Sequence, residues 1–307
     1  MDQIAIVDLQ RPLSRLADEL GNSFEQFGFA IVRNHFIPQD LVEHVETLQR
    51  RLFALPAEVK RGYHVSGLGG ARGYTPFGIE TAKGALVQDL KEFWHIGRTL
   101  PSGHPYSRYM AANVWPGELP DFRETMEAIF AAFEKTGDRV LRAIALHLGL
   151  AEDFFVDPVR DGNSVMRLLH YPPLAPGAPE GAVRAAAHGD INAITLLLGA
   201  EEAGLELLTR DGEWLALDPP PGALVVNIGD MLDRLTCSLL PSTMHRVVNP
   251  EGEAARRSRY SMPFFLHFRP DFVIDPLAGC CSAGASPAEP ITAEDFLQQR
   301  LREIKLA

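Results

Sequence analysis

Leu13, Leu16, Leu20, Phe24 and Phe27 recur at threes and fours near the start of the chain, the stripe of an amphipathic helix. Short strands are predicted on either side of it, at "IAIVDL" (4–9) and "FAIVRNH" (29–35). A second helix follows over "IPQDLVEHVETLQRRLFAL" (37–55), opened by Pro38 and Asp40 and stopped near Pro56; proline suits a first helical turn and ends a last one. Residues 64–88 are glycine-rich and aperiodic, and predict loop. Their glycines do not lead from a strand into a helix, so they offer no phosphate cradle. "KEFWHIG" places Trp94 and His95 in a core-and-turn segment. The strongest stripe lies in 119–150, where Phe122, Met126, Ile129, Phe130, Phe133, Val140, Leu141, Ile144 and Leu148 mark a long helix packed on a core.

From about residue 163 the period shortens. "SVMRLLHYPP", "AITLLLG", "GLELLTRDGEW", "GALVVNIGD", "MHRVVNP" and "RYSMPFFLHF" follow one another, separated by Pro, Gly, Asn and Asp. Short strands at this spacing predict a barrel or sandwich. A last helix is expected over 291–306, with Thr292 as its cap.

At 307 residues and 46% hydrophobic, the chain can bury a large core. The formal charge is −11, and no clustered basic stripe suggests a nucleic-acid partner. "EAARRSR" (253–259), the densest basic run, reads as a solvated turn. No apolar run approaches the roughly 20 residues that span a bilayer, and the first residues lack the pattern of a signal peptide. The expectation is a cytoplasmic protein with no membrane, nucleic-acid or obligate protein partner. Cys237, Cys280 and Cys281 form no C-x-x-C motif and are expected as reduced thiols.

Candidate chemistry concentrates in "AAAHGDINAIT" (185–195). The spacing of His188 and Asp190 is weak by itself: His44 and Glu46 share it in a helical stretch, where i and i+2 face apart. In an extended chain, i and i+2 share a face, so His188 and Asp190 could both bind one metal. His245, opening "HRVVNP", is preferred over His267 as a third ligand, since it too begins a strand. Two histidines and a carboxylate on one side of a metal suit non-haem Fe(II); zinc is the rival, without the H-E-x-x-H helix. "RYS" places Arg259 and Ser261 on one strand face amid apolar residues, a pair suited to a bound carboxylate.

H-x-D, a distant His and R-x-S together resemble the isopenicillin N synthase-like family of non-haem iron(II)/2-oxoglutarate-dependent oxygenases. The likeness extends through "FGFAIVRNHFIP", "RGYTPFGIE", "LLHYPPL", "HGDINAITLLLG" and "RYSMPFF", hence through most of the chain. It implies a mixed α/β fold with a mainly β core: a double-stranded β-helix (jelly roll) with flanking helices and a helix-rich N-terminal region. Residues 1–115 would form that region and 116–307 the catalytic core with its C-terminal helix, as one integrated unit. The resemblance implies Fe(II) on His188, Asp190 and His245, with 2-oxoglutarate as cosubstrate and O2 as oxidant. Arg259 and Ser261 would hold the distal carboxylate of 2-oxoglutarate, and Tyr171 would also contact that cosubstrate.

The implied reaction is oxidation of a small-molecule substrate, by hydroxylation, desaturation or cyclisation, with release of succinate and CO2. Two alternatives stand beside it: an Fe(II)/O2 oxidase that needs no 2-oxoglutarate, and a catalytically silent binding protein on the same fold. Candidates for substrate contact are Arg72 and Tyr74 in the glycine-rich loop, Arg167, which shares strand parity with Tyr171, and Phe265 beyond Ser261. His170, of opposite parity, is expected to point outward, and Asp230 to cap a turn.

Overall fold

The computed structural model describes residues 4–67, 70–79, 89–174, 183–199, 204–282 and 286–303. The N-terminal third runs β1 (Ile6–Asp8), α1 (Leu13–Phe27), β2 (Phe29–Arg33), α2 (Gln39–Phe53), α3 (Ala57–Gly62), β3 (Gly73–Thr75) and β4 (Glu92–Gly97). The long α4 (Phe122–His147) and the short α5 (Val156–Val159) lead into β5 (Val165–Tyr171), β6 (Ala185–His188), β7 (Ile194–Leu198), β8 (Leu205–Leu208), β9 (Trp214–Ala216) and β10 (Leu224–Ile228). After α6 (Asp230–Leu235) come β11 (His245–Val247), β12 (Arg259–Leu266), β13 (Val273–Ile274), β14 (Ile291–Thr292) and α7 (Ala293–Glu303).

Eight strands form one sheet in the order β1-β2-β10-β7-β12-β5-β4-β3, and β6-β11-β8-β9 form a second. Between them lies an inner apolar cluster of Phe29, Ile31 and Val225 from the larger sheet and Ala185, Leu205, Leu207 and Val247 from the smaller. Strand residues alternate faces, so Leu196, Val226, Met262 and Phe264 point the other way. There they join Leu16 and Phe24 of α1, Val45 of α2 and Phe133 of α4 in the main core. Phe264 is fully buried, with its ring stacked on Phe133 at 5.1 Å; burying a side chain of this size contributes about 1.5–3 kcal/mol. The result is a jelly-roll core with helices flanking its outer face. Both parts of the chain share the large sheet. Gln49 of α2 also reaches across, donating to the carbonyls of Leu169 (2.8 Å) and Ser261 (3.2 Å).

The structure corrects three expectations. Part of the glycine-rich stretch is β3, paired antiparallel with β4; residues 68–69 and 80–88 of that stretch lie outside the described residues, as does the end of the last helix from 304 on. Trp94 and His95 lie in a strand, not a turn. All six residues of β4 are buried, and a strand covered on both faces shows no polar alternation to reveal it. Finally, Cys237 and Cys281 are joined in a disulfide with a Cα–Cα distance of 5.0 Å, so only Cys280 is a free thiol. No helix among the described residues is long and apolar enough to cross a membrane.

Candidate active site

β6 and β11 pair antiparallel with His188 directly opposite His245, and the register shifts just beyond. The strand ends at His188. Asp190 lies two residues past its end, just before the bend at 191–193, so the expectation of one extended strand carrying both residues is corrected. Backbone bonds fix the bend: Asp230 N–H donates to Asp190 O (2.7 Å) and Gly229 N–H to Ala193 O (2.9 Å). A Cβ at Gly229 would meet Asn192 O at 2.2 Å, so only glycine permits this approach. Asp190 Oδ1 lies 3.9 Å from His188 Nε2 and 3.8 Å from His245 Nε2. One ligand atom from each residue falls within a 4.8 Å cluster.

Each of the three presents a lone pair inward. His188 Nδ1 donates to Ala186 O (2.8 Å) and His245 Nδ1 to Thr243 O (3.1 Å), which leaves both Nε2 atoms as acceptors. Asp190 Oδ2 accepts from Thr195 Oγ1 (2.5 Å) and Asn227 Nδ2 (2.8 Å), leaving Oδ1 to the cluster. Burial alone would raise the Asp190 carboxyl pKa, but the facing imidazoles and those two hydrogen bonds hold it below the ordinary value. Burial, and then the neighbouring His245, push His188 down to about 4, so its ring is neutral and able to ligate near pH 7.

Further along the inner face, Arg259 and Ser261 share one side of β12, as their spacing predicts. Arg259 is 1% exposed. Its Nη1 donates to Ser261 Oγ (3.3 Å), while Nε and Nη2 have no partner among the described residues. Tyr171 is the register partner of Arg259 on β5, and the guanidinium lies 5.1 Å from its ring centroid. The nearby Arg256 and Arg257 are exposed. A buried guanidinium with donors left open has the chemistry to pair with a carboxylate.

The four candidate substrate residues divide. Arg167 and Phe265 face inward and are partly exposed, with the Arg167 guanidinium 4.3 Å from the Phe93 ring and 5.5 Å from that of Phe265. Arg72 is buried and packs over Gly97 on the inner side of β4. Tyr74 does not join them. Its strand parity turns it to the helix-side core, where its hydroxyl donates to Glu92. His170 points the same way, as expected, and binds Glu92 Oε1 (2.7 Å). Asp230 opens α6 and pairs with Arg300 (2.8 Å).

Sequence reasoning missed Thr195 and Asn227, which orient Asp190; inner-face parity next to the ligands is the signal that would have found them. It also missed Arg184, 1% exposed and 5.8 Å from the Tyr171 ring. His267, the rejected third ligand, is buried, and its Nδ1 donates to Phe265 O (3.1 Å). Burial pushes its pKa down to about 4.

A family model described as the N-terminal part of a non-haem dioxygenase in morphine synthesis matches residues 4–118. The 2OG-Fe(II) oxygenase superfamily model matches residues 162–268. A 2-oxoglutarate-Fe(II) type oxidoreductase of Emericella nidulans is 38% identical, over 93% of this chain and 83% of its own length. A Caulobacter crescentus protein ascribed to the 2OG-Fe(II) oxygenase family has 53% identity and a TM-score of 0.91, covering 99% of this chain and 100% of its own. A Neurospora crassa protein solved in complex with alpha-KG and thymine has 30% identity and a TM-score of 0.85, covering 97% and 96%.

The chain therefore belongs to the non-haem Fe(II)/2-oxoglutarate oxygenase superfamily. It is an oxidoreductase, a dioxygenase that uses Fe(II), 2-oxoglutarate and O2 on a small-molecule substrate.

Proposed function

We propose that His188, Asp190 and His245 hold the Fe(II), that Arg259 and Ser261 hold the distal carboxylate of 2-oxoglutarate, and that Tyr171 shapes that subsite. The observation that carries this is the pair of open donors on buried Arg259, on the inner face that also holds the cluster of three free ligand atoms. The donor set fits the group: two neutral imidazoles and a carboxylate leave further metal positions open. Iron with its cosubstrate supplies the activation of O2 and the oxidising power.

The chain's own residues bind and orient. Ala186 O and Thr243 O fix the imidazole tautomers, and Thr195 and Asn227 fix the carboxylate. Ser261 steers Arg259. Arg167 and Phe265 line the approach on the substrate side, where Arg72 lies deeper. Residues 1–115 and 116–307 act as one unit, since β1–β4 complete the sheet that carries β5 and β12. The substrate is a small molecule, in keeping with the thymine held by the Neurospora crassa relative, with no nucleic-acid or obligate protein partner.

The test is O2 uptake and succinate formation with Fe(II), with and without 2-oxoglutarate, beside an anaerobic Fe(II) titration. Uptake that requires 2-oxoglutarate and Fe(II) binding that is lost in His188→Ala are expected. Equal Fe(II) binding by wild type and His188→Ala would overturn the ligand assignment.

A further inference from the structure

Arg259 is not the only buried guanidinium on the inner side with an open donor. Arg72 is 2% exposed. Its Nε donates to Ala111 O (3.0 Å) and its Nη1 to Ala71 O (2.6 Å), while Nη2 has no partner among the described residues. Both known partners are neutral carbonyls, and burial lowers the guanidinium pKa to about 10. A Cβ on Gly97 would strike the guanidinium carbon and Nη2 at 2.1 Å; glycine there is what admits Arg72 to the inner face of β4.

One step along the sheet, His95 and Arg167 are register partners. Arg167 Nε–H donates to His95 Nε2, so the proton of this imidazole sits on Nδ1 and is donated to Gly70 O (2.5 Å). One neutral ring thus ties the loop that carries Arg72 to Arg167. Arg167 in turn lies over Phe265, which faces Thr195 across β12 and β7, and Thr195 holds Asp190. This corner, where two guanidinium groups reach the inner face, therefore adjoins the candidate metal site, at the opposite end of β12 from Arg259. Among the described residues no carboxylate pairs with Arg72, and an uncompensated buried cation is costly.

We propose that the substrate carries a compact acidic group, a carboxylate or similar oxyanion, which Arg72 and Arg167 bind together. The proposal rests on the active-site reading above. To test it, anaerobic enzyme holding Fe(II) and excess 2-oxoglutarate is titrated calorimetrically with monocarboxylates graded from acetate to phenylacetate, each paired with its own carboxamide. At least one acid is expected to bind about tenfold or more tighter than its amide, and Arg72→Met and Arg167→Met are each expected to erase that preference. If no acid binds better than its amide, or if the preference survives in the variants, the proposal is overturned. Circular dichroism checks folding; if the Arg72 variant fails to fold, Arg167→Met decides the question. Binding of 2-oxoglutarate to the wild type is measured first. Its absence defeats the active-site reading, whereas its presence without an acid preference defeats only this inference.

Discussion

β3, β4, β5 and β12 carry polar side chains on both faces, and the two sets differ in kind. On the helix side, Glu92 accepts from Lys60 Nζ (2.8 and 3.0 Å), His170 (2.7 Å) and Tyr74. Lys60 also donates to Phe53 O (2.9 Å), and His170 Nε2 meets Ser258 Oγ (3.0 Å). Burial would raise the Glu92 pKa, but its three partners hold the carboxyl below the ordinary value. One residue along the strands, on the inner side, Arg259 keeps two donors without a partner among the described residues, and the candidate metal cluster keeps three ligand atoms turned to one another. A closed cluster stiffens the sheet, whereas an open one at the same depth marks where a ligand completes the structure.

If this contrast is right, inner-face substitutions cost activity and outer-face ones cost stability. The largest effect is expected from Asp190→Ala: 2-oxoglutarate-dependent O2 uptake falls by on the order of a thousandfold while the far-ultraviolet circular dichroism stays native. Next, Arg259→Met raises the half-saturating 2-oxoglutarate concentration about a hundredfold, read by initial rates; an unchanged value would remove the carboxylate assignment. On the outer face, Glu92→Gln leaves Lys60 buried and unpaired, so urea melts should show a loss of about 3 kcal/mol with 2-oxoglutarate affinity little changed. Tyr74→Phe should cost only about 1 kcal/mol and spare turnover; a strong fall in turnover would place Tyr74 at the substrate after all.

Acid titration probes the inner face differently. The folded pKa of His267, about 4, lies below the ordinary imidazole value of 6.5, so the unfolded chain binds more protons between those limits. Stability is then full above pH 6.5 and falls as pH drops towards 4, by up to ~3 kcal/mol. His267→Gln should flatten that part of a pH series of thermal melts.

The helices were legible because a one-sided apolar stripe is a local property, and Leu16, Leu20 and Phe24 bury the side it predicts. Arg259 and Ser261 were legible because a single strand sets their parity. β4 was not, because it is buried on both faces and shows no alternation of exposed and buried positions. Tyr74 was misplaced for a related reason: a motif read as loop has no parity, so nothing told its side from that of Arg72. The reach of Arg72 depends on Gly97, and the Cys237–Cys281 bond spans a separation of 44 residues; such meetings belong to the fold and not to the neighbourhood. The bend after Asp190 arises likewise from contacts with Gly229 and Asp230.

His188 and His245 form one rung of the β6–β11 pairing. A rung dictates which residues meet and leaves the length of chain between them free. Over generations, the connections among β7, β8, β9 and β10 can lengthen or shrink while the two imidazoles stay together. A single residue inserted within β6 or β11 would part them. Descent with variation is thereby channelled into the loops, and the candidate metal site is inherited as a rule of pairing.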